Sequence, residues 1–121
     1  MDSMIDFPSV FTRDQLNYIR QSVVDTARHI CGDKLRDIIL YGSYARGDFK
    51  EWSDVDIMIL ADTDDMECRQ ISSRIAKELF DLIYHMNLLL SFLVIPYTRF
   101  EHMKDVYPFY RNVDKEGKRL C

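Results

Sequence analysis

The sequence predicts an α/β fold: one small sheet with helices packed on it. Three observations carry this. Two stretches of about twenty residues repeat apolar positions at spacings of three and four, the mark of a helix with one buried face. Three short apolar runs, bounded by turn residues, read as strands. The two kinds of segment alternate along the chain, so the helices must pack on the sheet. The 121 residues suit a single domain, 1–121.

The elements follow in order. Thr12 and Gln15 have capping-box spacing, in which each side chain satisfies a free N–H at a helix start. Leu16, Ile19, Val23, Ala27 and Ile30 form one apolar stripe behind them, and Gly32 can end the helix, predicted over Thr12–Cys31. Asp37–Tyr41 reads as a buried strand through Ile38, Ile39 and Leu40, broken by Gly42-Ser43. Ser43–Asp48 is a short helix ended near Gly47, and Asp54–Ala61 a second strand. Asp64 and Glu67 repeat the capping-box spacing. Cys68, Ile71, Ile75, Leu79 and Leu82 continue a helix from about Asp64 to Tyr84. Asn87–Ile95 is the third strand and Tyr97–Asp105 a short helix after Pro96. Residues 106–121 are expected to be an irregular tail, beginning in earnest at Pro108.

Composition narrows the function. The formal net charge is −4, and the acidic residues divide evenly, ten in residues 1–60 and ten in 61–121. No basic stripe follows a phosphate backbone, which argues against nucleic acid. Lys115, Lys118 and Arg119 read as a solvated end. Cys31, Cys68 and Cys121 are odd in number and widely spaced, which fits neither a disulfide framework nor a zinc site and predicts the cytoplasm. Met1–Pro8 has no signal-peptide pattern, and the longest apolar stretch, Leu88–Pro96, is too short to span a bilayer. His29, His85 and His102 are scattered without metal spacing.

The chemistry is concentrated in Gly42–Asp56. A Gly-Ser turn between a strand and a helix lets the backbone approach a phosphate, with free N–H groups and a serine hydroxyl aimed at it. Asp54 and Asp56, two apart on a strand, face the same side. Two carboxylates so close repel, and a divalent cation resolves the conflict. Taken singly, the first feature is also an ordinary turn and the second a solvated strand end. Ten residues lie between Ser43 and Asp54, enough for a one-turn helix and a return to the adjacent strand, so both can meet at one triphosphate. Arg46 serves either phosphate or a pairing with Asp48 or another acid. Ser53 caps the turn before the strand. Tyr41, Tyr44 and Trp52 either pack around the turn or stack on a base. Tyr97, Tyr107, Phe109 and Tyr110 either cover the sheet or meet a partner protein.

The Gly42-Ser43 and Asp54-x-Asp56 pair, with Ala45-Arg46-Gly47 and Ser53 in place, resembles the nucleotidyltransferase superfamily that includes DNA polymerase beta and kanamycin nucleotidyltransferase. The string GSYARGDFKEWSDVDIMIL is most similar to the minimal bacterial branch of that superfamily, free-standing domains of this length. The ending Pro108–Val113 with Glu116-Gly117 is also similar to tails of that branch. The resemblance implies the nucleotidyltransferase fold, a small mixed sheet with helices. It implies two Mg²⁺ ions on Asp54 and Asp56, with the phosphates of ATP held by Gly42, Ser43 and Arg46. It also implies transfer of an NMP, AMP above all, to a hydroxyl. Minimal members are often paired with a small helical HEPN-domain toxin and act as antitoxin, in the best case by adenylylating its tyrosine.

The sequence departs from that pattern at one point. Active members carry a third carboxylate on a neighbouring strand, and His85–Val94 holds no acid. The family register expects it at 87 or 89, so Asn87 is the candidate third ligand, through a carbonyl that brings no charge. Glu78 and Asp81 fall on the preceding helix and read as solvated. The alternative function is therefore a binding module that neutralises a partner by contact. A small-molecule, antibiotic-modifying transferase ranks last, because its acceptor pocket needs an extra helical domain.

Overall fold

The computed structural model describes residues 11–50 and 53–121. The signal-peptide reading of Met1–Pro8 and the placement of Trp52 fall outside these residues. The elements run α1 (Arg13–Cys31), β1 (Leu35–Tyr41), α2 (Ser43–Arg46), β2 (Val55–Ala61), α3 (Asp65–His85), β3 (Leu90–Pro96), α4 (Tyr97–Met103), α5 (Pro108–Glu116) and β4 (Lys118–Arg119). The strand order is β3-β2-β1-β4. Strand β1 pairs antiparallel with β2 and with β4, and β2 pairs parallel with β3, so the sheet is mixed.

Local chemistry sets both long helices. The Thr12 hydroxyl accepts the Gln15 N–H at 3.1 Å, and the Gln15 side chain accepts the Thr12 N–H at 2.8 Å, the expected reciprocal cap. At α3 only half of the expected box forms. Asp64 accepts the Glu67 N–H at 2.9 Å, but the Glu67 carboxylate turns to Lys34, 2.7 Å away, and to the Thr63 hydroxyl. An ammonium within reach is a stronger partner for a carboxylate than a backbone amide. Ile19, Val23, Ala27 and Ile30 of α1 and Cys68, Ile71, Ile75 and Leu79 of α3 are buried together against Ile38, Val55, Ile57 and Ile59 of the sheet. The second cluster, on the opposite face, holds Ile39, Met58, Leu60, Phe100 and Val113. Strand β2 lies between two others and is covered on both faces. Its unbroken apolar run from Ile57 to Ala61 follows from that position.

Two expectations fail. Residues 108–121 are not irregular: Pro108 opens α5, and the chain then returns as β4 beside β1. Proline suits the first helical turn, where its missing N–H leaves no bond unmade. Gly117 joins the two elements because a Cβ there would fall 2.3 Å from Ile39 Cγ2. The basic run is correspondingly split. Lys118 and Arg119 form β4, and Arg119 pairs with Asp37 at 2.8 Å and with Asp114 at 3.2 Å.

The third strand starts later than expected, at Leu90 rather than Asn87. Asn87 has φ 51°, a left-handed turn position that asparagine tolerates, and Leu88 plugs the core. An apolar run does not itself distinguish a turn that buries one leucine from the first residues of a strand.

Candidate active site

The end of β1 and the start of β2 lie side by side, Tyr41 opposite Asp56. That pairing brings Gly42 against the Asp56 side chain. A Cβ at Gly42 would fall 2.4 Å from Asp56 Oδ2. Gly42 also has φ 77° and ψ −157°, a region essentially reserved for glycine. The turn and the carboxylate therefore touch only because residue 42 has no side chain.

The short helix α2 follows at once. The Gly42 carbonyl accepts the Ala45 and Arg46 N–H groups, each at 3.1 Å, and leaves the Ser43 and Tyr44 amides outside the helix's own bonds. Tyr44 is buried and stacks on Phe49, centroids 4.5 Å apart, so it packs behind the turn rather than facing a base. Ser53 caps as expected: its hydroxyl accepts the Lys50 N–H at 2.8 Å.

Asp54 is exposed, one residue before β2, while Asp56 is half-buried within it. Burial raises the Asp56 pKa above the ordinary carboxylate value, the Asp54 charge raises it further, and Arg46 pulls it back. The same burial, with the Asp56 charge beside it, holds the Tyr41 phenol above its usual range. These shifts describe two acids and one base in a single electrostatic site. Of the two sequence readings of Arg46, phosphate or an acid, the structure shows the pairing with acids. It pairs with Asp48 at 3.2 Å and, from the other side, with Glu116 at 3.5 Å.

Asn87 does not stand on the strand beside Asp56. The parallel register places Ser91 there, half-buried and on the same face. Among the described residues no group of three or more His, Cys, Asp or Glu side chains is arranged to hold a metal ion. The polar neighbour of Asp56 on β3 is thus an uncharged hydroxyl. Sequence reasoning put the position two or four residues early, because it started the strand at Asn87. It also missed α5, which brings Phe109, Asn112 and Glu116 to the mouth of the Gly42 turn. Their spacing of three and four was the available signal. His29, His85 and His102 are all exposed. Cys31 and Cys68 are buried free thiols, and burial pushes Cys68 up to about 11, which disfavours a reactive thiolate. Among the described residues, no helix is long and apolar enough to cross a membrane.

The nucleotidyltransferase domain model matches residues 12–121. A candidate protein adenylyltransferase of Methanocaldococcus jannaschii is 35% identical over 94 residues, covering 72% of this chain and 79% of the relative. A second from the same organism is 46% identical over 46 residues, 38% of this chain and 31% of the relative. Among solved structures, a toxin–antitoxin crystallised with AMP-PNP superposes with TM-score 0.54 at 20% identity, covering 84% of this chain and 72% of that one. A candidate nucleotidyltransferase from Sulfolobus solfataricus gives 0.53 at 20% identity, with coverage of 88% and 78%. At that identity the structures speak for the fold alone. The match over nearly the whole chain and the conjunction of Gly42-Ser43 with Asp54-x-Asp56 place this protein in the nucleotidyltransferase domain family.

Proposed function

We propose that the protein transfers AMP from ATP to a hydroxyl, a tyrosine of a small helical HEPN-domain toxin, and so acts as that toxin's antitoxin. The observation that carries the transfer is the contact of the Gly42 backbone with the Asp56 carboxylate, since a triphosphate and its cation need the turn and the acids together. The relatives named as candidate protein adenylyltransferases and the toxin–antitoxin structure of like fold favour a protein acceptor.

The residues fit a divalent cation. The exposed Asp54 and the half-buried Asp56 repel each other, and Mg²⁺ favours one or two carboxylates together with substrate phosphates. When bound, Mg²⁺ neutralises phosphate charge and stabilises the leaving oxygen. Gly42 and Ser43 hold the β- and γ-phosphates through the free amides and the hydroxyl, and Arg46 exchanges Asp48 for phosphate. The acceptor oxygen bonds to the α-phosphorus, the bond to the β-phosphate oxygen breaks, pyrophosphate leaves, and the hydroxyl proton passes to solvent. Most of the rate comes from positioning and charge neutralisation.

A second reading, neutralisation by contact alone, draws on the uncharged Ser91 beside Asp56. One experiment separates the two. ATP is titrated with and without Mg²⁺ into wild type and the Asp54→Asn, Asp56→Asn double variant, and pyrophosphate is measured with the toxin present. Transfer predicts Mg²⁺-dependent binding and pyrophosphate release, both lost in the variant. A folded double variant that still neutralises the toxin would establish the contact reading instead.

A further inference from the structure

A cleft of about 190 Å³ opens between the end of β1 and α5, lined by Tyr41, Gly42, Arg46, Phe109, Asn112 and Glu116 among others. Two of these, Gly42 and Arg46, belong to the phosphate turn, so the cleft leads directly off the site. The other end is built from one face of α5. Phe109, Asn112 and Glu116 follow at spacings of three and four, which puts a ring, an amide and a carboxylate in one row. Phe109 meets Tyr41 edge to face, centroids 5.8 Å apart at 84°, and remains 45% exposed. Glu116 holds Arg46 at 3.5 Å and thereby ties this face of α5 to the turn.

We infer that this cleft seats the nucleobase of the triphosphate and favours adenine. The inference rests on the nucleotidyl-transfer reading and deepens it. The volume is below the roughly 300–1,000 Å³ of a pocket for a whole drug-sized ligand, so the cleft suits one ring system with the phosphates lying outside it. An aromatic ring offers any base a stacking or edge contact. The Asn112 amide supplies specificity at the N6/N7 edge: it both donates and accepts, as adenine does there, whereas guanine presents two acceptors, N7 and O6, at that edge. Phe109 and Asn112 are both exposed on the helix surface and contribute little to the buried core, which lies under Val113.

The test is calorimetric titration of ATP, GTP and inorganic tripolyphosphate, each with Mg²⁺, into wild type, Asn112→Ala and Phe109→Ala. Each variant is expected to lose about tenfold in ATP affinity, in line with a lost base contact. Tripolyphosphate affinity stays unchanged, and Asn112→Ala narrows the gap between ATP and GTP. An equal loss for ATP and tripolyphosphate would mean that α5 acts only by holding the turn, and would overturn the inference. Unchanged ATP affinity would overturn it too, and a fall in transfer alone would then make the cleft the seat of the acceptor. Wild type that binds tripolyphosphate as tightly as ATP would remove the base site and leave the transferase reading intact. Wild type that binds neither would end both. Asn112→Ala decides if Phe109→Ala fails to fold.

Discussion

On the face of the sheet toward α1 and α3, Ile38, Val55, Ile57, Ile59 and Ala61 are buried among the apolar stripes of both helices. On the opposite face the same strands present Ile39, Tyr41, Asp56, Met58 and Leu60, covered among the described residues by α4 and α5. Successive strand residues point to opposite faces, so Tyr41 and Asp56 each have an apolar chain neighbour on the other side. Asp56 is held between Val55 and Ile57, 3% and 1% exposed. One face supplies the stability that lets the other keep a half-buried carboxylate pressed against a glycine in a reserved backbone conformation.

The largest effect that sharpens this contrast is on the helix-covered face. Ile59 is fully buried there, and Ile59→Ala should cost about 2–5 kcal/mol, read from denaturant unfolding. Mg²⁺-dependent ATP binding should survive in whatever fraction stays folded. If Ile59→Ala unfolds no more easily than wild type, the division between the faces is wrong.

Next in size is Gly42→Ala, on the other face. It forces an L side chain into a glycine-only conformation and onto Asp56 Oδ2, at a cost of about 1–3 kcal/mol. Unlike Ile59→Ala, it should remove ATP binding even from the folded protein, as a titration on thermally verified samples would reveal.

The smallest effect has the opposite sign. The folded Asp56 carboxyl has its pKa raised, by burial first and by Asp54 second. The folded state therefore binds its proton more tightly than an unfolded aspartate, which titrates near 3.9, and stability falls as pH rises from about 4 through the raised folded value. Asp56→Asn removes that fall. In EDTA at neutral pH the variant should melt higher by roughly 2 °C, a small gain because solvent reaches this group and screens the repulsion. Wild type and variant should melt together near pH 3. A variant that melts lower than wild type at neutral pH would show that the carboxylate stabilises the apo fold.

Much of this was legible beforehand, for local reasons. The α1 cap, the apolar stripes of both long helices and the end of α2 at Gly47 depend on residues within four positions of one another. The Gly42-Ser43 turn and the Asp54-x-Asp56 pair were legible because the intervening stretch is short, which limits where the second strand can return. The C-terminal elements were not. Phe109, Tyr110 and Pro108 read as a tail because α5 has little propensity of its own and forms where Tyr110 and Val113 can pack on Ile39, Met58 and Phe100.

By itself, then, the amino-acid sequence determined helices α1 to α4, the Gly42-Ser43 turn and the paired acids, all of them products of short-range geometry. Only the tertiary structure decided that Ser91 rather than Asn87 stands beside Asp56, that Glu116 reaches Arg46, and that the chain returns to pair with β1. Those outcomes depend on pairing between segments distant in sequence, where a one-residue change of register moves every side chain to the other face. Nothing within a single segment specifies that register. It is set by which apolar residues of the facing elements are buried together.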